Sequence, residues 1–250
     1  MAEAAAALGR QLKSDRLVKL FVGKDNDEPY LIPQSRLKEA SEYFVSAIKH
    51  EGWGRDNVGK LHFPDEEKDV FEILIYFIVN GSPPAFTDQD EQLVMQKLLI
   101  SCWVTADQYL IRDLQDQLMI KLLETLEGAT PVWEVVRWAF MKGSEGSKIW
   151  RLFAEEAVYK TYERLPVGLS KPRIVESLEQ AISGIPGGLF EFLETRERIE
   201  QDTDCSCRLR KQSRVEPFLF GSFQRGSKAR MYLNVLRAAR GASDGLVDDE

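Results

Sequence analysis

Leu17 to Val22, "LVKLFV", is a β-branched, apolar run that ends at Gly23 and the turn-rich "GKDNDEP", and a second apolar run follows from Tyr30 to Ile32, with polar positions between them. Two short apolar runs separated by turn residues predict a β-hairpin. Pro33 is expected to end the strand pairing. The pattern then changes. Leu37, Ala40, Ser41, Phe44, Val45 and Ile48 share one helical face, which predicts a single helix starting near Ser35. After the glycine-containing loop "HEGWGRDNVGK", Leu61-His62-Phe63 reads as a short strand with His62 turned away from its neighbours.

From Glu67 to Val79 the chain is apolar almost all the way round a helix, through Val70, Phe71, Ile73, Leu74, Ile75, Phe77, Ile78 and Val79. Such a helix is expected at the centre of the core. Gly81 and Pro83-Pro84 stop it. A helix from Glu91 to about Tyr109 follows, with Leu98, Leu99, Cys102, Ala106 and Tyr109 on its stripe. Another runs from Asp113 to Leu126 on Leu114, Leu118, Leu122 and Leu126, closed by Gly128.

Thr130-Pro131 is a fresh helix-start signal, a capping hydroxyl before a first-turn proline. It opens a helix from Val132 to Met141, which the turn "KGSEGS" joins to a helix from Lys148 to about Glu163. "SKPRIVESLEQAI" and "GLFEFLETRERIE" read as two more, separated by the breaker "SGIPGG". The pattern divides the chain into an α+β unit over 16–128, an all-helical extension over 129–201 and a loosely ordered basic tail over 202–250.

Charge sharpens that last boundary. Between Cys205 and Arg240 stand nine Lys or Arg and one acid, Glu216, so this segment carries +8 while the whole chain carries −7. Such a tail could meet nucleic acid by counterion release, but no aromatic ladder or known reader motif accompanies it. Nucleic acid is the weaker expectation.

The longest uncharged apolar run, "ILIYFIVNGSPPAF", reaches its prolines well short of the roughly 20 residues a bilayer helix needs. The first residues lack a basic start followed by a sustained apolar stretch. Three cysteines do not make a disulfide framework. A chain of the cytoplasm or nucleus, without a membrane partner, is expected.

Candidate chemistry is sparse. Cys205 and Cys207 could give two thiolates, yet a structural zinc site takes four ligands, and only His50 and His62 are available besides. No Gly-rich phosphate loop, nucleophile elbow or metal-spaced acid cluster is present. The acids of "FPDEEKD" suit the first turn of a helix, at the positive end of its dipole. The expectation is a non-catalytic chain with no cofactor and no metal.

Four pieces stand in a particular order. They are an apolar strand ending in Gly23; Leu37 followed by Ser41 and Tyr43-Phe44; Leu61 and Pro64 before Val70-Phe71, with Tyr76 near the helix end; and Ala106-Asp107 with Tyr109, then Leu114. Over about Arg16 to Gly128 this combination resembles the BTB/POZ domain in the divergent form common among fungal proteins. The helical segment over 129–201 is similar to the extension that often follows that domain there.

The resemblance implies a helical cluster flanked by a short mixed β-sheet. In it Leu37, Ser41, Tyr43, Phe44, Phe71, Ala106 and Tyr109 are structural, with Ser41 small enough for close helix packing. It also implies a role in protein interaction, by homodimerisation or recruitment of partners, and in some members as substrate adaptor of a cullin-type ubiquitin ligase. Three positions depart from the family's pattern. Leu17 is in register with an aspartate that commonly opens the first strand, and Pro33 stands where histidine is usual, so the polar pocket those two form in many relatives is expected to be absent. Near Trp53-Gly54-Arg55, Arg55 replaces the acid that favours cullin contact. A wrong-sign charge at an interface is costly, so a cullin partner is marked down. Trp53, in a Gly-flanked loop, is the leading contact residue, with packing against its own domain as the alternative.

Overall fold

A computed structural model describes residues 15–24, 28–50, 59–86, 92–128, 132–162 and 171–202. Strand β1 (Leu17–Val22) buries Val18, Leu20 and Val22 on one face. Strand β2 (Tyr30–Pro33) runs antiparallel to it, with Val18 opposite Ile32 and Leu20 opposite Tyr30. On the other side β3 (Gly59–Phe63) runs parallel, with Leu20 opposite Leu61 and Val22 opposite Phe63. The order is β2-β1-β3. A parallel partner cannot be reached through a tight turn, and the crossover carries helices α1 (Gln34–Ala40) and α2 (Glu42–His50).

Pro33 stays in the ladder opposite Leu17 instead of ending it. The Gln34 N–H donates to the Arg16 carbonyl at 2.7 Å. Because bonded and non-bonded pairs alternate in an antiparallel ladder, Leu17–Pro33 is then a non-bonded pair. The N–H that proline lacks would have pointed to the open edge, so nothing is lost there.

The single helix expected from Ser35 onward is two helices, broken at Ser41. That residue is extended, with φ −162° and ψ 142°. Its N–H donates to the Leu37 carbonyl at 3.3 Å, which closes α1. Its Oγ accepts the Tyr43 N–H at 2.9 Å, which caps α2, and its hydroxyl donates to the carbonyl of Tyr109. A short hydroxyl side chain competes for backbone partners, and here it replaces one turn of helix.

Helix α3 (Lys68–Asn80) buries Val70, Phe71, Leu74, Ile75, Phe77 and Ile78. Gly81, in the left-handed conformation at φ 75°, ends it by donating to the Phe77 carbonyl at 2.7 Å. The helix is not apolar all round in its setting. Tyr76 and Val79 are exposed, and Glu72 lies on the same side. The enclosed helix is α4 (Gln92–Gln108), which packs against α3, α5 (Arg112–Gly128) and α6 (Trp133–Lys142). It buries Gln96, Ser101 and Thr105 along with its apolar residues. Two of these have side-chain partners: Trp138 Nε1 donates to Ser101 Oγ at 3.3 Å, and Gln96 Nε2 lies 3.5 Å from Thr125 Oγ1.

The turn from α4 to α5 is unusual. Leu110 adopts φ 55°. The Ile111 N–H donates to the Ala106 carbonyl at 2.8 Å and the Leu110 N–H to the Asp107 carbonyl at 3.0 Å, the paired bonds of a Schellman ending. Glycine normally fills the position Leu110 holds.

The remaining helices build outward from α4. α6 packs on it, α7 (Lys148–Tyr162) packs on α6, α8 (Lys171–Ile182) touches both, and α9 (Gly188–Asp202) lies on α7. Arg137 on α6 donates to the carbonyls of Gln180, Ala181 and Ser183 at 3.2–3.3 Å, closing the carboxyl end of α8 with a positive charge. One hydrophobic cluster runs without interruption from Val18 in β1 to Phe192 in α9. The architecture is mixed α+β, mainly helical, with one small mixed sheet.

Candidate interaction surface

Most residues expected to form the structural heart of the domain meet around one phenol. Tyr109, at the end of α4, stacks on Phe44 with centroids 6.1 Å apart and meets Tyr43, Phe63 and Phe71 edge-on at 4.9, 5.4 and 5.6 Å. Its hydroxyl donates to Glu66 at 2.7 Å, and Gln108 Nε2 donates to the same carboxylate oxygen at 3.1 Å. Burial, then that hydrogen bond, pushes the Tyr109 pKa well above the ordinary phenol value. Leu37, Phe44, Phe71 and Ala106 are fully enclosed, and Tyr43 is half-buried. Sequence reasoning placed Phe63 on a short strand without giving it a role in this cluster, and read Glu66 as a helix-start acid.

At the strand–helix junction, the structure places the polar contact two residues before Leu17. The Asp15 carboxylate accepts from the Ser35 N–H at 3.2 Å and from the Ser35 hydroxyl. Leu17 and Pro33 are paired across the ladder as apolar neighbours. A separate polar contact, between Asp15 and Ser35, stands beside this apolar pair.

Trp53 and Arg55 lie outside the described residues, as do Thr130-Pro131, Cys205, Cys207 and the basic tail. His62 faces outward as expected, and its ring stacks on Phe21 at 4.6 Å and 4°. Cys102 is buried, which pushes its thiol up to about 12, away from any nucleophilic role near neutral pH.

Among the described residues no group of three or more His, Cys, Asp or Glu is placed to hold a metal ion. None of the described helices is long and apolar enough to cross a membrane. A groove of about 370 Å³ lies between residues 82–86 and the face of α5 carrying Gln117, Ile120, Lys121 and Glu124. Its charged residues are spent on each other, Lys121 pairing with Glu124 at 3.5 Å. No protein-family model matches the chain, and no curated protein matches it as a relative.

Two of the exposed large apolar side chains are neighbours on the sheet. On the outer face of the sheet, Leu31 is 54% and Leu17 45% exposed. They sit diagonally across the β1–β2 ladder, where side chains remain within reach of one another. Phe21 and His62 continue that face toward β3. β2 is an edge strand, and no described strand pairs with its far side. The same alternation that explains Pro33 aims the backbone groups of Leu31 at that edge.

Proposed function

We propose that the chain is a non-catalytic protein-interaction module of the BTB/POZ kind, which associates with a second copy of itself through the outer face and β2 edge of its sheet. The observation that carries this reading is the pair Leu17 and Leu31, large apolar residues held outward beside a strand edge that no described strand pairs. Exposed edges and apolar faces are where chains associate. The element order supports the BTB/POZ resemblance: two strands, two helices, a third strand parallel to the first, then three helices. The Tyr109 cluster supports it too, since it joins residues from three of the four pieces that carry the resemblance, Phe44, Phe71 and Tyr109 itself.

The test is size-exclusion chromatography with light scattering on the full chain and on Leu17→Asp/Leu31→Asp. The native chain is expected to elute as a dimer and the double variant as a monomer of unchanged circular dichroism. Both substitutions are on exposed positions, so a loss of fold is not expected. A double variant that stays dimeric would sink this interface.

A further inference from the structure

Helix α3 holds apolar surface that its own chain leaves open. Nine of its 13 residues are apolar or aromatic, the make-up of a helix enclosed on every side. Six of them are buried, yet Tyr76 and Val79 are 46% and 42% exposed. Phe71 joins the Tyr109 cluster on the buried side, and Tyr76 stands about 140° further round the helix. Glu72, Tyr76 and Val79 follow one another at intervals of four and three residues, so they form one outward stripe.

That stripe adjoins the open edge of the sheet. The Tyr30 hydroxyl, on β2, donates to Glu72 Oε1, and Glu72 lies one helical turn before Tyr76. Lys68 Nζ is 3.9 Å from the same oxygen. Glu72 is therefore engaged within its own chain, and the surface left open beside it is Tyr76 and Val79.

We propose that the second copy which pairs along β2, and on whose existence this contact depends, also covers the stripe on α3, with Tyr76 as its anchor. Area favours that occupant. Two leucine side chains supply only a small part of the roughly 800 Å² that each partner gives up in a stable interface. A partner seated on β2 finds its next exposed apolar surface on the helix side at Tyr76, and a tyrosine adds about 150–250 Å² by itself.

Charge favours it as well. A two-fold axis crossing α3 near Tyr76 brings the two stripes together antiparallel, each meeting its own copy. The uncharged turns then oppose each other, and Glu72 falls opposite Asn80 of the partner subunit instead of a second carboxylate.

The experiment is sedimentation equilibrium of the full chain, giving dimer dissociation constants for the native protein, Tyr76→Ala, Val79→Asp and Leu31→Asp. Phe190→Ala serves as control, since Phe190 is a large exposed apolar residue on α9. Tyr76→Ala and Val79→Asp are each expected to weaken the dimer by about tenfold or more, with unchanged circular dichroism because both positions are exposed. Phe190→Ala should leave it unchanged. Native affinity in both α3 variants, beside a Leu31→Asp that dissociates, would overturn the α3 contact and leave the sheet interface standing. Equal weakening by Phe190→Ala would overturn it too. A native chain that is monomeric at every concentration would overturn both the contact and the interface.

Discussion

Ser41 joins three parts of the fold through one short side chain and its backbone. It ends α1, caps α2 and bonds the carbonyl at the end of α4. Ser41→Ala removes a cap worth about 1 kcal/mol and strands a buried carbonyl, at a further cost of about 1–3 kcal/mol. A loss of about 2–4 kcal/mol in urea unfolding is the expected outcome. Its position on an apolar stripe was legible in the sequence, but its bond to the end of α4 was not, because that carbonyl lies 68 residues away.

Leu110 offers the opposite sign. An exposed leucine at φ 55° is strained, and Leu110→Gly should raise stability by about 1 kcal/mol with no change in denaturant slope. Nothing in the local pattern marks that leucine as left-handed.

Tyr109 and Cys102 contribute to a loss of stability at alkaline pH, as do Tyr30 and Tyr43. Their folded pKa values lie above the ordinary 10 and 9, so the folded chain holds protons that the unfolded chain releases. Stability is fully present below about pH 9 and is lost as pH rises toward about 12. Urea midpoints measured across that range should fall, and Tyr109→Phe should flatten the decline.

Among the helices, burial was assigned from apolarity, and that ranking fails between α3 and α4. α3 is the more apolar, yet it keeps Tyr76 and Val79 outside. α4 looks amphipathic, yet it is enclosed because neighbours satisfy its serine and glutamine. Such partners come from α5 and α6 and are invisible to a window of one helix. Helix ends were easier to read, since Gly81 and the turn after Lys142 act locally.

At that second turn the backbone and Trp150 approach closely. Trp150 Nε1 donates to the Gly143 carbonyl at 2.9 Å, and a Cβ on Gly143 would stand 2.8 Å from Trp150 Cδ1 and 3.0 Å from the Ala139 carbonyl. Gly143→Ala should therefore destabilise the chain by about 1–3 kcal/mol, visible as a lower unfolding midpoint followed by tryptophan fluorescence.

The α+β unit and the helical extension share one core across the whole described chain. Trp138 of α6 lies between Lys97 of α4, 5.4 Å from its ring, and Lys142, 5.0 Å away. Lys142 also pairs with Glu67 at 2.7 Å, tying the end of α6 to the start of α3. Such exposed pairs contribute about 1 kcal/mol or less, so apolar burial carries the joint. The strands were legible as short apolar runs between turn residues and most helices by their helical spacing, whereas the break at Ser41 was not. The outward pair Leu17 and Leu31 was not, since alternation alone does not tell which face of a strand is covered.

The most direct measurement is sedimentation of the full chain over a wide concentration range. A species of twice the 28.6 kDa chain mass, dissociating on dilution and absent in Leu31→Asp, is the expected result. A single species of 28.6 kDa at every concentration would contradict self-association through the sheet.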